Sequence, residues 1–266
     1  LMILSVDTTT RAAALLSLPR DLWLPMPLAP GRVITDRINS AYAYGDTLAY
    51  PGGGPALVKA TIEYNFGIHI NHVAMVDFKA FEKFVDAIGG VDVDLAEAIS
   101  DPSFPTGDYG RMAVALPKGK QHLTGEKALW LVRSRYQSSD FSRMQRQQQF
   151  MFAVRDQVLR ADVALRIPAL WLEFRDVVKT DVTLPELVGL AQLATSVPRD
   201  RIRNRTLDQE YIIRGAVPGE PFALTPNRSR IAQLVTELFA DNPADPRPWQ
   251  QPPSNANAKP EARAGG

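Results

Sequence analysis

The stretch Leu131-Val-Arg-Ser-Arg-Tyr136 is followed closely by Asp140-Phe-Ser-Arg-Met-Gln-Arg-Gln-Gln-Gln149. Together the two segments hold four arginines and one acidic residue. An arginine side chain is always charged, and its planar set of donors fits the oxygens of a phosphate group. Because so little acid lies nearby to neutralise them, these arginines predict a phosphate-binding site in an enzyme that handles phosphate groups.

The spacing of the first arginine pair constrains the local backbone. Arg133 and Arg135 would point about 200° apart on a helix, whereas they share a face of an extended chain. The sequence predicts a helix that Thr124 caps and that runs to about Leu131. If both arginines bind one ligand, this helix must end near Val132.

The second pair lies on a long helix, predicted from residue 140 to about residue 160. Arg143 and Gln147 are four residues apart and therefore neighbours on the helix surface. Gln147 also falls within an apolar stripe, where its amide needs a hydrogen-bonding partner. We expect the loop at residues 136–139 to fold the two pairs toward each other, an arrangement that suits a pyrophosphate.

A further arginine follows an apolar run in Ser17-Leu-Pro-Arg-Asp21. Arg20 is expected to join the phosphate site with Asp21 orienting it, or the two form an ion pair that holds the next loop. For the arginines after residue 131, the alternative is a solvated helix start with salt bridges to Asp140 and Glu126.

Composition sets broad limits. The chain has 266 residues, 45% of them hydrophobic, which is enough for one large α/β domain. Its formal net charge of +1 gives no overall field that would attract nucleic acid. The chain has no cysteine, so disulfides, thiol catalysis and cysteine metal sites are excluded. No apolar run approaches the ~18 residues that span a bilayer.

The two ends of the chain carry different predictions. Residues 1–6 read as a buried strand already under way, so we expect an upstream segment, with an anchor or further site residues, to be missing. Residues 241–266 are rich in proline and alanine and predict a disordered tail. We therefore expect the folded domain to comprise residues 1–240.

Hydrophobic periodicity and turn residues predict the remaining elements. A hairpin is expected from residues 1–6 and 12–18. Further helices are expected at 54–66, 78–88 and 183–195, and strands at 73–76 (buried), 91–95 (one wet face) and 201–207 (near an edge). Residues 24–36 and 100–122 are expected to be loops, and Thr225-Pro226 to cap a last helix.

Other motifs predict less. The glycines Gly52-Gly-Gly54 precede a helix and could bind an anion at its N-terminus. No Gly-Lys-Ser/Thr follows them, and no Gly-x-Ser-x-Gly motif is present, so a nucleotide P-loop and this serine nucleophile are unsupported. His69, His72 and His122 lack ligand spacing and are expected to be structural.

Taken in order, several segments resemble the LytR-CpsA-Psr family of cell-envelope phosphotransferases. The resemblance covers about residues 1–160. Its segments are Leu16-Ser-Leu-Pro-Arg-Asp21, Arg37-Ile-Asn-Ser-Ala-Tyr42, Phe81 through Gly89-Gly-Val-Asp-Val93, Gly119-Lys-Gln-His-Leu-Thr-Gly-Glu126, Val132-Arg-Ser-Arg-Tyr136 and Asp140-Phe-Ser-Arg-Met-Gln-Arg-Gln-Gln148.

The resemblance implies a three-layer α/β/α domain of this family's type, with a central mixed sheet. It also assigns the site. The pyrophosphate would be held by Arg20, Arg133, Arg135 and Arg143, with Arg37 in place of a common lysine, Gln147 in support and Asp21 bracing. Of these, the resemblance makes Arg20, Asp21, Arg133 and Arg135 the catalytic set.

The implied activity is transfer of a glycopolymer phosphate from a polyprenyl-pyrophosphate carrier to peptidoglycan in cell-wall assembly, with Mg²⁺. The family's acidic metal ligands are expected upstream of Leu1. The protein would act at the extracytoplasmic face of the cell membrane, held there by an N-terminal anchor, with no nucleic acid partner. The alternatives are a module that binds polyprenyl phosphates without turnover, and a pyrophosphatase in which water replaces the sugar hydroxyl.

Overall fold

The computed structural model describes residues 1–108, 110–135, 140–160, 163–174 and 178–239. These residues form two units. The first unit comprises Leu1, Leu18–Val73 and the described residues from Leu207 onward, and the second comprises Met2–Ser17 and Ala74–Thr206. The predicted tail, residues 241–266, lies outside the described residues.

Helices and strands are both abundant, so the protein is of the α/β class, as predicted. The strands are β1 (Met2–Asp7), β2 (Ala12–Ser17), β3 (Trp23–Ala29), β4 (Arg32–Arg37), β5 (Ala74–Val76), β6 (Val91–Leu95), β7 (Ile99–Pro105), β8 (Arg111–Leu116), β9 (Gly119–Leu123), β10 (Val178–Thr180), β11 (Ile202–Thr206), β12 (Ile212–Arg214) and β13 (Leu224–Pro226). The helices are α1 (Ala41–Thr47), α2 (Gly53–Phe66), α3 (Phe78–Ala87), α4 (Gly125–Arg133), α5 (Asp140–Arg160), α6 (Val163–Phe174), α7 (Leu184–Ser196) and α8 (Arg228–Leu238).

A three-stranded sheet in the second unit combines antiparallel and parallel pairing. Its strands β1 and β2 form the predicted hairpin, in which Met2 pairs with Ser17 and Asp7 pairs with Ala12. The third strand, β11, pairs with β2 in parallel and lies at the sheet edge. The mixed sheet and the edge position of this polar strand are therefore confirmed.

A buried glutamine ties α5 to this sheet. The amide nitrogen of Gln148 donates to the hydroxyl of Ser17 over 2.9 Å and to the carbonyl of Arg205 over 2.6 Å. Its oxygen accepts from the side chain of Asn204 over 3.0 Å. Since Gln148 is only 4% exposed, its amide has little access to water. These bonds satisfy its hydrogen-bonding groups instead.

The core of the second unit joins α3, α4 and α5 to β6. Phe81 of α3 packs on Phe150 of α5, with ring centres 5.0 Å apart, as the apolar periodicity of α3 predicts for Phe81. Helices α3 and α4 approach closely at Gly125, whose backbone N–H donates to the Asp86 side chain over 2.7 Å. Phe78 departs from the α3 stripe because it is the first residue of the helix, and it is 52% exposed.

The prediction of a loop at residues 100–122 is wrong. These residues form most of the β7–β8 hairpin and the strand β9, which pairs with β6. The sequence suggested a loop because it contains prolines and glycines. The β7–β8 register shifts between Asp101 and Phe104, and such an irregularity lets Pro102 lie within a strand without a ladder hydrogen bond.

The strand predicted at residues 73–76 exists, but its predicted burial is wrong. All three residues of β5 are exposed, and the strand pairs with β10. An apolar run as short as Ala-Met-Val does not by itself distinguish a buried strand from an exposed one, because burial depends on what packs over it.

In the first unit, the predicted loop at residues 24–36 is also wrong, because β3 and β4 form a hairpin there. Pro25 and Pro27 occupy β3 without breaking it. The carbonyl of Pro25 accepts a hydrogen bond from Asn65 of α2. This side of the strand therefore faces away from β4, and the missing N–H groups of the prolines are not needed for the hairpin.

Helix α2 begins and ends as predicted within one residue. Gly67 closes it with a φ of +65°, a conformation that glycine adopts without strain. At the other end, the side chain of Asp46 accepts the N–H of Gly54 over 2.7 Å. The carboxylate of Asp46 thus occupies the N-terminus of α2, where the glycine motif had predicted a bound anion.

Two further helix starts test the capping predictions. The capping box of Thr183 and Glu186 opens α7, as predicted. The cap of α8 was predicted wrongly: Asn227 caps it by accepting the N–H of Arg230, while Thr225 and Pro226 belong to β13. The predicted inward residues of α8 are all buried: Ile231, Leu234, Val235 and Leu238.

Across the described ranges, every helix is too short or too polar to pass through a lipid bilayer.

Gly125→Ala should destabilise the protein because the new Cβ would overlap the backbone of Glu82. Backbone atoms cannot retreat as a flexible side chain can, so we expect the free energy of unfolding to fall by about 1–3 kcal/mol. Gly189→Ala is the control, because its Cβ would meet no atom within 4 Å and should stabilise α7 by about 0.5–1 kcal/mol. Urea unfolding measures the free energy of unfolding of both variants. A gain in stability in both would contradict this packing.

Gln148→Ala should cost about 1–3 kcal/mol, since it leaves the buried carbonyl of Arg205 without this donor. Gln145→Ala, at an exposed position on the same helix, should change stability by less than about 0.5 kcal/mol. Thermal unfolding compares the two variants, and equal melting temperatures would argue against the role of the Gln148 hydrogen bonds.

Candidate functional site

The candidate site lies where α4 ends and α5 begins, in the second unit. We call its four arginines the arginine cluster: Arg133, Arg135, Arg143 and Arg146. Helix α4 follows Thr124, at the predicted position, but the Thr124 side chain makes no capping hydrogen bond, and the helix ends at Arg133, two residues beyond the predicted end. Ser134 then turns to φ −57° and ψ 137°, which takes the chain out of the helix. Arg135 therefore lies beyond the helix, whose end agrees within one residue with the end that the spacing of the pair required.

Side chains of α5 satisfy the last carbonyls of α4. Arg146 donates from Nε to the carbonyl of Leu131 over 3.2 Å and from a terminal nitrogen to that of Ser134. Gln147 donates to the carbonyl of Val132 over 3.0 Å. The last carbonyls of a helix have no partner within it, and a cation near them is stabilising. These bonds fix the end of α4 against the start of α5.

Gln147 was predicted to need a partner and to support the pyrophosphate. The first prediction is confirmed by its bond to Val132. The second stays a prediction.

Arg133 is held by an aromatic face. Its guanidinium carbon lies 4.2 Å from the centre of the Phe78 ring and 5.4 Å from that of Phe104. One terminal nitrogen donates to the carbonyl of Pro105 over 3.0 Å. Burial, and after it the charge of Arg135, lowers the pKa of Arg133. The group remains charged, because an arginine does not lose its proton in proteins.

Asp140 lies between two members of the cluster. Its Oδ1 is 3.0 Å from a terminal nitrogen of Arg143 and 3.8 Å from Nε of Arg135. The alternative of a helix start with salt bridges is thus confirmed for Asp140. Glu126, the other acid of that alternative, forms no ion pair with the described residues. An exposed pair such as Arg135–Asp140 contributes only about 0–1 kcal/mol, so a ligand with more charge can replace it.

A second carboxylate lies beneath the cluster. Asp101, which is 5% exposed, accepts the hydroxyl of Ser134 over 2.9 Å and the backbone N–H of Ser103 over 3.0 Å. Burial first, and then the charge of Arg143, lowers the pKa of Arg146, while Asp101 acts in the opposite direction.

Within the described residues, two carboxylates accompany the four arginines of the cluster: Asp140 pairs with Arg135 and Arg143, and Asp101 acts on Arg146. The excess of positive charge suits an anion. The predicted loop at residues 136–139 lies outside the described residues.

Arg20, Asp21 and Arg37 belong to the first unit. Nε of Arg20 lies 3.6 Å from Oδ1 of Asp21, and Asn39 donates to the same oxygen over 3.2 Å. The backbone N–H of Asn39 donates to the carbonyl of Arg20 over 3.2 Å. The ion pair of Arg20 and Asp21 is confirmed, but its further contacts are with Asn39 and not with a loop directly after it. The meeting of Arg20 with Arg133 and Arg135, and its part in pyrophosphate binding, stay predictions.

Arg37 is exposed at the end of β4, and its backbone N–H donates to the side chain of Asp36 over 2.7 Å. Asp36 also accepts the hydroxyl of Tyr44 over 2.7 Å. This hydrogen bond, followed by burial and the carboxylate charge, raises the pKa of Tyr44. A role for Arg37 in binding the pyrophosphate stays a prediction.

Sequence reasoning missed three parts of the site. Arg146 was counted among the four arginines but was given no individual role, yet it closes the end of α4. Its position three residues after Arg143 is a weak signal for a shared helix face. Asp101 and Phe104 fell in a predicted loop. No local pattern could have assigned them, because their contacts cross from one element to another.

The described residues do not by themselves make a magnesium site. They contain no group of three or more histidine, aspartate or glutamate side chains that could hold a metal ion. Asp140 and Asp21, the acids beside the predicted arginines, are each engaged with an arginine.

The chain is similar to several known proteins. It is 29% identical to the regulatory protein MsrR of Staphylococcus aureus (strain COL) over 185 residues, which are 68% of this chain and 50% of MsrR. It is 35% identical over 155 residues to the polyisoprenyl-teichoic acid–peptidoglycan teichoic acid transferase TagU of Oceanobacillus iheyensis, covering 58% of this chain and 43% of TagU. The chain thus spans about half the length of the curated relatives it matches.

Solved structures share the fold. The crystal structure of Bacillus subtilis TagT has a TM-score of 0.67 and 26% identity, over 90% of this chain and 84% of TagT. A structure of TagT bound to LIIa-WTA has a TM-score of 0.69 at the same identity, over 90% of this chain and 83% of that one. A model of the LytR_cpsA_psr family matches residues 1–238, and this protein therefore belongs to the LytR_cpsA_psr family.

Proposed function

We propose that this protein transfers a glycopolymer phosphate from a polyprenyl-pyrophosphate carrier to peptidoglycan. The observation that carries the proposal is the arginine cluster at the α4–α5 junction, where positive charge exceeds the charge of the nearby acids. Two relatives support it: TagU is named a teichoic acid transferase to peptidoglycan, and TagT has been crystallised with LIIa-WTA.

The cluster suits a pyrophosphate better than a single small anion. Arg135 has 51% of its side chain exposed and a weak pair with Asp140, so its donors are available to a ligand. Arg143 is nearly buried and fixed by the same carboxylate, so it offers a donor that is already oriented. A pyrophosphate presents oxygens in more than one direction and can engage both.

The chemistry follows from the same groups. In phosphoryl transfer, negative charge builds on the phosphate oxygens in the transition state, and fixed cationic donors stabilise it. Arg133 cannot swing freely, because the Phe78 and Phe104 rings and the Pro105 carbonyl hold it. A guanidinium that is held before the reaction costs little reorganisation while the charge develops.

Phe78 supplies an apolar surface beside these charges. It is half exposed at the start of α3, directly under the guanidinium of Arg133. We assign it to the first isoprenoid units of the carrier. The rest of the apolar face of α3 packs in the core of the second unit, and Leu57 of α2 packs in the core of the first.

The remaining assignments come from family membership. We propose that the whole protein uses Mg²⁺, acts at the extracytoplasmic face of the cell membrane through an N-terminal anchor, and binds no nucleic acid. The described residues contain no group of three or more aspartate, glutamate or histidine side chains that could hold a magnesium ion.

The test incubates the full-length protein with a short-chain lipid-pyrophosphate-linked glycan, Mg²⁺ and peptidoglycan fragments. Coupled product supports transfer. Released phosphoglycan without coupling would indicate a pyrophosphatase, and tight binding with neither product would indicate a binding module. Either of these results would overturn the proposed transfer.

Arg133→Ala and Arg135→Ala should each lower the transfer rate by about a hundredfold or more, because each removes a donor to the developing charge. Arg230→Ala is the control, since Arg230 belongs to the first unit, is exposed and pairs with Glu210. Circular dichroism should show an unchanged fold in all three variants. Wild-type rates in both cluster variants would remove Arg133 and Arg135 from the mechanism.

Asp140→Asn should tighten the binding of inorganic pyrophosphate several-fold, because it removes the carboxylate that competes for Arg135 and Arg143. Glu97→Gln is the control: it makes the same charge change at an exposed position of the second unit. Calorimetric titration at low and moderate salt compares the two, since screening weakens exposed charge interactions. Equal affinities in both variants would show that Asp140 does not limit access to the cluster.

A further inference from the structure

The second unit contains a pocket of about 430 Å³ that the arginine cluster does not use. We call it the polar pocket. Its lining residues come from β6, α5, β11 and the turn before β11: Asp92, Val93, Asp94, Gln145, Gln148, Gln149, Phe152, Ala153, Asp156, Arg199 and Asn204. Its volume lies within the range of about 300–1,000 Å³ that is usual for small-molecule sites.

The pocket and the cluster lie on different faces of α5. Gln145, Gln149 and Phe152 follow one another at spacings of four and three residues, so they share one face of the helix. Arg143 and Gln147 share another face, turned by about 200° from Gln145. A ligand in the pocket therefore meets side chains that take no part in the proposed phosphate site.

The floor of the polar pocket is rigid. Gln148 uses both ends of its amide on Ser17, Arg205 and Asn204, and it is buried. It therefore holds the Asn204 side chain in place and has no N–H donor left for a ligand.

The rim carries hydrogen-bonding groups that are still open. Gln145 has no hydrogen bond to any described residue, and the same is true of the Asp94 carboxylate. Gln149 uses its amide nitrogen on the carbonyl of Asp94, over 2.6 Å, which leaves its oxygen open. Amides and a carboxylate side by side provide both donors and acceptors. A ligand hydroxyl also donates and accepts, so these groups match a hydroxyl-rich molecule.

The charge of the pocket disfavours a phosphate. Its lining has three carboxylates and one guanidinium, that of Arg199. Asp156 is paired with Arg155 and with Arg199, at 3.2 and 2.7 Å, and Asp92 lies 2.8 Å from the ring nitrogen of His122. Asp94 is thus the carboxylate that faces a ligand without a pair, and it would repel an anion.

A metal ion fits no better. Among the described residues, the three aspartates do not come together as a group that could hold a cation. Phe152 instead adds an apolar ring to one wall, with Arg199 5.6 Å from its centre. A ring wall beside amides and a carboxylate suits a sugar, which has an apolar C–H face and polar hydroxyls at its edge.

We infer that the polar pocket binds an uncharged, hydroxyl-rich sugar chain. This inference goes beyond the proposed function and does not depend on it, because the pocket would bind the sugar whether or not the arginine cluster transfers phosphate.

Chitotriose, a neutral trimer of N-acetylglucosamine, is the probe. In the full-length protein labelled with ¹⁵N, we expect millimolar chitotriose to shift the side-chain amide signals of Gln145, Gln149 and Asn204. Inorganic pyrophosphate at the same concentration should leave these signals in place. No shift with chitotriose, or a shift with pyrophosphate alone, overturns the inference.

Asp94→Ala combined with Gln145→Ala should weaken chitotriose binding at least tenfold. Neither side chain bonds to a described residue, so the fold should be unchanged. Glu97→Ala combined with Gln209→Ala removes one exposed acid and one exposed amide elsewhere and should bind chitotriose like the wild type. Equal affinities in the two double variants overturn the inference.

Arg135→Ala separates this inference from the proposed function. It should abolish transfer and leave chitotriose binding intact. A loss of chitotriose binding in Arg135→Ala would place the sugar at the arginine cluster and would overturn the pocket assignment.

Discussion

Hydrogen bonds from α5 side chains to backbone carbonyl groups hold the other elements of the second unit around this helix. Four successive side chains of this helix each donate to a main-chain oxygen of another element. Arg146 and Gln147 reach the last turn of α4, Gln148 reaches β11 and Gln149 reaches β6. Because successive residues of a helix turn by about 100°, four neighbours can hold elements that lie on different sides. A carbonyl that lost its donor in the interior would cost about 1–3 kcal/mol.

This arrangement separates two environments of opposite charge on one helix. Near its N-terminus, α5 helps to place an excess of guanidinium groups, whose positions depend on where α4 ends. Further along, it forms a wall of amides with a carboxylate and a phenyl ring. The same anchoring bonds hold both sites, so their positions are fixed by the packing of α5.

The bounds of α5 could be predicted from sequence, although a glutamine interrupts its apolar stripe, and the helix runs from Asp140 to Arg160. The same is true of α3 and of the start of α7, where a capping box marks the first turn. These signals are local, and local signals survive in the folded protein. They also predicted the end of α4 to within two residues, since the helix was expected to run to about Leu131 and ends at Arg133.

Other features could not be predicted, since their cause lies in another part of the chain. Prolines in residues 24–36 suggested a loop, yet β3 tolerates them because Pro25 turns its backbone groups toward Asn65. Asp101 became part of the site through Ser134, which is distant in sequence. The carbonyl acceptors of Arg146 carry no sequence signal at all, because every residue has a carbonyl.

Asp140 has a consequence for selectivity. It acts as a built-in counter-ion, so any incoming anion must outcompete a carboxylate that is already in place. A monovalent anion such as chloride carries no more charge than the carboxylate, so its attraction to the arginines is little stronger than that of Asp140. A diphosphate carries more negative charge, so its attraction to the arginines exceeds that of the carboxylate. A single side chain thereby sets a threshold of ligand valence, and it keeps the guanidinium groups from being occupied by the abundant simple salts around the protein.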